Sequence, residues 1–261
     1  MQIYIESRGF SQDDDYRWLK VTEQSQSRID KEDLPAIMQE ANQLIDSEAE
    51  SVVIGRKNNE LLLLITGVKA LDRVDFADRQ IRISVAWLIL DSQDNERVLR
   101  MLAATILDAE KRQHLTAEIT QAVSLGGETG FQVNFEQIQK LTNVSQAQNL
   151  LQDELPSTSR KIAGLSAKCQ AELTSELQQY RLPTQEGLIV VVTGIKKAET
   201  LINAGIWRGL SSLVSSQDWQ IIQGNLPAEN SSSKLSKYFN RLIIILGVLG
   251  TISLLVNTFD F

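Results

Sequence analysis

Leu242 to Val256 reads LIIILGVLGTISLLV, fifteen consecutive residues without a charge. A stretch this apolar has to leave water, and its destination constrains everything that precedes it. Crossing the hydrocarbon core takes about 20 apolar residues at roughly 1.5 Å each, with a lower end near 17. Extension through Asn257 and Thr258 to Phe259 gives eighteen positions, with the single Asn in the interfacial layer. Tyr238 and Phe239 on one side, and Phe259 and Phe261 on the other, stand where an aromatic belt would, and Lys234, Lys237 and Arg241 lie on the N-terminal side alone. That asymmetry predicts a single-pass, tail-anchored protein with its N-terminal body in the cytoplasm and a short translocated C-terminus. The span would be built from Leu242, Ile243, Ile244, Ile245, Leu246, Gly247, Val248, Leu249, Gly250, Leu254, Leu255 and Val256. The competing reading, a buried core helix, suits runs of about 10–14 residues. Gly247 and Thr251 form a small-xxx-small pair that permits close approach of two such helices, and with it a homo-oligomer.

The body is acidic. The chain carries a formal charge of −7 over 261 residues, and the tail from Ser231 contributes Lys234, Lys237, Arg241 and Asp260, so the charge is concentrated in the body. An acidic body without a lysine-rich block repels phosphate backbones, which argues against nucleic acid as a partner. One cysteine, Cys169, excludes an intramolecular disulfide framework and multi-cysteine metal sites, and suits a reducing compartment. The opening MQIYIESRGF lacks the charged and apolar regions of a secretory signal.

Hydrophobic periodicity predicts an α+β body, a mixed sheet with covering helices. Ile3 and Ile5 alternate with polar neighbours in a first strand over 2–6. Leu34, Ile37, Met38, Ala41, Leu44 and Ile45 recur at helical spacing behind Pro35. The runs 51–55 and 61–68 flank the polar residues 56–60, a hairpin pattern, and a third strand over 81–90 follows an Asp-rich loop. Helices are expected from Asp94 as cap through Ile106, over 115–123 and over 135–141. These close a first block, 1–143. The second block, 144–223, is expected to hold two helices around Pro156, a strand at 188–192, a helix over 198–214 and a short strand at 219–222. It forms the same domain if its strand joins the first sheet. Residues 224–241 read as a flexible basic juxtamembrane tether, ahead of the transmembrane helix at 242–259.

Two groups of residues carry the candidate chemistry. The turn holding Thr193, Gly194, Lys196 and Lys197 follows a strand and opens a helix, where free N–H groups and a positive dipole end suit an anion. It lacks the phosphate-loop and dinucleotide signatures. Asp72, Asp75 and Asp78, every third residue, stand with Arg79 and Arg82 at the start of a strand, a pattern for a surface ion-pair network or a partner surface. Asp13, Asp14 and Asp15 read as a solvated loop, because adjacent side chains diverge. His114 stands alone, no HExxH or GxSxG pattern occurs, and Cys169 lies on an amphipathic helix among small residues. No metal, no cofactor and no catalytic set is therefore expected. The leading expectation is a tail-anchored membrane protein whose acidic domain acts as an interaction or adaptor module for a protein partner. The alternatives are a ligand-gated effector that binds a phosphate-bearing signal near Thr193 and perturbs the membrane by clustering, and a cytosolic enzyme using Asp72, Asp75 or Asp78.

Overall fold

The structure, a computed structural model, describes residues 1–47, 49–142 and 153–222. The tether and the 242–259 run lie outside the described residues, and no helix among the described residues is long and apolar enough to cross a membrane.

The alternating and continuous apolar runs become a ten-stranded mixed sheet. The first strands are β1 (Gln2–Ser7), β2 (Arg17–Val21) and β3 (Gln26–Ile29), followed by the long strands β4 (Ser51–Lys57), β5 (Glu60–Val74) and β6 (Gln80–Leu90). A separate two-stranded ribbon pairs β7 (Val123–Leu125) with β8 (Phe131–Val133). The chain then adds β9 (Arg160–Gly164), β10 (Gly187–Thr193), β11 (Arg208–Ser211) and β12 (Gln220–Ile222). The sheet order is β12-β9-β11-β10-β4-β5-β6-β1-β2-β3. From β4 to β3 every pairing is antiparallel, whereas β10, β11 and β9 run parallel to one another. The two regimes meet where β10 pairs antiparallel with β4, Val191 opposite Val53, so strands from both halves of the chain share one sheet.

Helices cover both faces. On one side lie α2 (Gln93–Leu107), α3 (Arg112–Ala122), α4 (Phe135–Lys140) and α5 (Ala167–Gln179), packed on Leu61, Leu63, Ile65, Val85 and Trp87. On the other lie α1 (Ala36–Asn42) and α6 (Ala198–Asn203), packed on Leu62, Leu64, Ala86, Leu88 and Val191. A strand buried on both faces has no reason to alternate, which explains the uninterrupted Leu61–Leu64 and Val190–Val192 runs.

Several boundaries differ from the sequence expectation for local reasons. The hairpin loop shrinks from five residues to Asn58 and Asn59, whose φ of 51° and 64° give the primed turn that matches strand twist. Strand β5 runs on past Val68 through Asp72 to Val74, with register shifts after Ile65 and Lys69. The cap of α2 is Ser92, whose hydroxyl accepts from the Asn95 N–H, and Asp94 sits in the first turn. The helix expected over 198–214 stops at Asn203, beyond which Gly205 takes φ 74° and Arg208–Ser211 becomes a buried strand. Likewise Arg160–Gly164 is strand rather than helix. Trp207 is buried, with the Arg208 guanidinium stacked 3.9 Å from its ring centroid, so the pair faces the interior and not a membrane or a partner groove.

A chain of charges, buried at Glu96 and Arg100 and half-buried at Arg56, Asp91 and Asp153, links β4 and β6 to the helices α2 and α5. Arg56 of β4 pairs with Asp91 at the end of β6 and donates to Glu96 of α2 at 2.9 Å. The other oxygen of Glu96 accepts the buried Leu182 N–H at 2.8 Å. One turn along α2, Arg100 is fully buried, donates to Asp153 at 2.6 Å and reaches the Leu177 and Tyr180 carbonyls at the end of α5. Burial alone raises the Asp153 pKa. Hydrogen bonds from Arg97 and Gln93 and the attraction of Arg97 and Arg100 outweigh it and hold the group at about 2. Replacing Arg100 by Met keeps the stem and removes the charge, so that the Leu177 and Tyr180 carbonyls lose their donor while Glu96 keeps Arg56 and the Leu182 N–H and Asp153 keeps Arg97 and Gln93. The unfolding free energy is expected to fall by about 1–3 kcal/mol, read as a lowered urea midpoint at unchanged slope.

Candidate functional site

The long β5–β6 hairpin carries its own turn, 75–79, against the residues that follow β1. Asp75 organises this end. Its Oδ1 accepts the Ala77 and Arg79 N–H groups at 2.9 and 3.0 Å, and its Oδ2 accepts from Arg8 Nη1 and Arg79 Nε, each at 2.9 Å. Backbone bonds from Asp75 N to the Arg79 carbonyl and from Asp78 N to the Asp75 carbonyl close the turn, with Asp78 at φ 56°. The Asp75 carboxyl is buried, which by itself raises its pKa. The hydrogen bonds from the Arg79 side chain and from the Arg79 and Ala77 backbones overcome this and bring it to about 2.

Arg8 completes the arrangement. Its guanidinium lies 5.7 Å from the ring centroids of both Tyr16 and Phe76 and also donates to the Ser11 carbonyl at 3.3 Å. The Tyr16 hydroxyl accepts the Arg82 N–H at 3.0 Å, and Arg82 Nη1 donates to the Gly67 carbonyl at 3.2 Å. Together Arg8, Asp15, Tyr16, Asp75, Arg79 and Arg82 frame a recess of about 290 Å³. Three arginines against two carboxylates make it locally positive in a chain of net charge −7. Beside it stand two exposed aromatics, Phe10 (57% exposed) and Phe76 (45% exposed), joined by the Phe76 N–H to the Phe10 carbonyl at 2.9 Å.

Of the residues singled out in the sequence, Asp75, Arg79 and Arg82 thus meet at one recess. Asp78 shapes the turn beside it, and the Asp72 backbone runs within β5. Sequence reading missed Arg8, Phe10, Tyr16 and Phe76. Arg8 and Asp75 are 67 positions apart, a separation that no local pattern bridges, although Phe76 among the charges at 73–79 was visible.

The other candidate group lies at the end of β10. Thr193 is buried, with its hydroxyl accepting the Ile195 N–H at 3.4 Å, and the Ser211 hydroxyl donates to the Lys196 carbonyl. Gly194 has open space where a Cβ would stand. Lys197 takes the cap position of α6 without a side-chain cap bond, and that helix is only six residues long. The turn's own groups close it. Elsewhere His114 is exposed on the first turn of α3 beside Glu118, and Cys169 is buried with its thiol 3.2 Å from the Gln217 carbonyl. Among the described residues no group of three or more His, Cys, Asp or Glu is placed to hold a metal.

The chain matches no protein-family model, no curated protein and no solved structure.

The Asp75 linkage is testable by pH. A carboxyl whose folded pKa of about 2 lies below its ordinary 3.8 contributes stability that is complete above the ordinary value and is lost as pH falls through that window. Asp75→Asn is therefore expected to lower the urea midpoint at neutral pH, and the gap between variant and parent should close as pH falls from about 4 to about 2.

Proposed function

We propose that this protein is a membrane-anchored interaction module that recognises a partner protein through the end of the β5–β6 hairpin. The observation that carries the recognition half is the pairing of a preorganised arginine recess with exposed Phe10 and Phe76. Arginine and aromatic side chains are the residues that concentrate binding energy at protein interfaces. Guanidinium groups meet carboxylates bidentately, so the partner segment would be an acidic one carrying an apolar or aromatic anchor. Arg8 is already held by Asp75 and two rings and loses little freedom on binding, which favours affinity. The anchoring half rests on the eighteen-position apolar stretch behind Lys234, Lys237 and Arg241, a length and charge pattern that suit one membrane span with the body in the cytoplasm. The module needs no cofactor and no catalytic step.

Two measurements test the two halves. The full chain should resist carbonate extraction from membranes, and a version ending at Ser233 should become soluble. Extraction of the full chain would remove the anchor. A photo-crosslinking residue placed at position 76 in cells should give a discrete adduct that Arg79→Glu abolishes. A matched probe at the exposed position 128 should give none. Equal labelling from both positions would remove the hairpin end as the recognition surface.

A further inference from the structure

A second recess, chemically the opposite of the first, lies under the end of α1. Glu6 of β1 faces it, with Trp18 of β2 and Ser84 of β6 as its direct register partners on either side. The Glu6 side chain is 1% exposed. Its Oε2 accepts from the Ser84 hydroxyl at 3.2 Å, and its Oε1 has no hydrogen-bond partner. The nearest cation, Lys31 Nζ, stands 3.8 Å from Oε1, beyond hydrogen-bond reach, on a side chain that is 66% exposed. Burial raises the Glu6 pKa, and Lys31, Ser84 and Ser47 only partly offset the rise. A carboxylate taken out of water, with one oxygen facing only a distant ammonium, has room for a closer charged donor.

The space in front of that oxygen is about 340 Å³. Its walls are of two kinds. Asn42 and Asp46 add side-chain oxygens and Ser47 a hydroxyl that donates to Glu6, whereas Trp18, Ile45 and Ile195 are apolar. Ile195 belongs to the 193–197 turn, so that turn contributes an apolar wall here and not its lysines. A primary ammonium has three donors and no acceptor, which fits a cavity offering a buried carboxylate, further oxygens and the indole of Trp18 as an aromatic wall for a cation. Lys31, the protein's own ammonium, already leans toward Glu6, and its exposed stem lets it move aside.

We propose that this recess binds a small primary alkylamine as its ammonium, with Glu6 as the charge partner and Trp18, Ile45 and Ile195 enclosing the carbon chain. A ligand of about five non-hydrogen atoms has an affinity ceiling in the micromolar range, because affinity is limited by the number of its atoms, and the titration is carried into the millimolar range. The test uses the full chain in phosphatidylcholine nanodiscs, titrated with n-butylamine, n-butanol and sodium butyrate. Binding is followed by saturation-transfer NMR against empty discs. Butylammonium is expected to saturate, butanol and butyrate not to. Glu6→Gln, isosteric and uncharged, should weaken butylammonium by about tenfold or more, which corresponds to about 1.4 kcal/mol. Lys31→Ala, a change at an exposed residue, should tighten it by removing the competing cation. Equal uptake of butanol and butylammonium would make the recess an apolar void and overturn the proposal. So would absence of saturation, unchanged affinity in Glu6→Gln, or weaker binding in Lys31→Ala. If Glu6→Gln fails to fold, the butanol comparison and the Lys31 variant decide alone.

Discussion

Arg100 is the group on which this arrangement turns. A ten-stranded sheet with apolar residues on both faces has weak intrinsic register, because sliding one Val-rich strand past another exchanges one apolar neighbour for another. The sensitive place is the β4–β10 junction, where the antiparallel and parallel parts meet and Val52, Val53 and Ile54 lie opposite Val192, Val191 and Val190. Arg56 on β4, Glu96 and Arg100 on α2, and Asp153 with the carbonyls ending α5 are bonded to one another, and Glu96 also accepts the Leu182 N–H from the segment that leads into β10. The network fixes β4 and that segment against α2 and α5, while desolvation consumes much of its Coulomb attraction.

How much of this was legible in the sequence follows from the same physics. Elements whose signal is local were readable: the β1 alternation, the apolar β4, β6 and β10 runs, and the helical spacing of α3 and α4. Elements decided by tertiary context were not. Residues 206–211 carry Trp207, Gly209 and Leu210 at a spacing that suits a helix as well as a strand, and the choice was made by parallel pairing with Val190–Thr193 on one side and Lys161–Gly164 on the other. Strand β9 was hidden for a related reason. Arg160 and Lys161 give it a polar start, and its apolar residues shrink to Ile162 and Ala163, so only its neighbours make it a strand. The extension of β5 to Val74 was obscured by its charges, although Arg73 donates to the Thr120 carbonyl of α3 at 3.2 Å.

The sites obeyed the same division. Asp75, Arg79 and Arg82 stood out as a dense mixed-charge group, and they do share a recess. Arg8, which donates to Asp75, comes from the first strand's exit 67 positions away and is invisible to any local window. Glu6 was harder still. In an alternating strand a Glu between Ile5 and Ser7 belongs to the polar, solvated face, and that inference fails because α1 and the Lys31–Asp33 turn cover the second face of the sheet. A polar residue in a period-two pattern marks the other face of the strand. Whether that face is wet depends on what folds over it.

The two recesses also differ in how they meet the protein's overall field. Around the arginine recess the net charge of −7 opposes any acidic segment at long range, so attraction there has to come from close contact, with Arg8 held between two rings and fixed by Asp75. Such a surface discriminates by geometry more than by rate of encounter, because steering acts over a Debye length of about 8 Å at physiological salt and the recess must overcome the surrounding acidity within that distance. The Glu6 recess has the reverse balance. The field draws cations toward the body, and what limits occupancy is displacement of Lys31 and desolvation of the incoming ammonium. If the two recesses bind as proposed, the first gains selectivity from its rigid donors and the second from a buried carboxylate whose own ammonium stands 3.8 Å away.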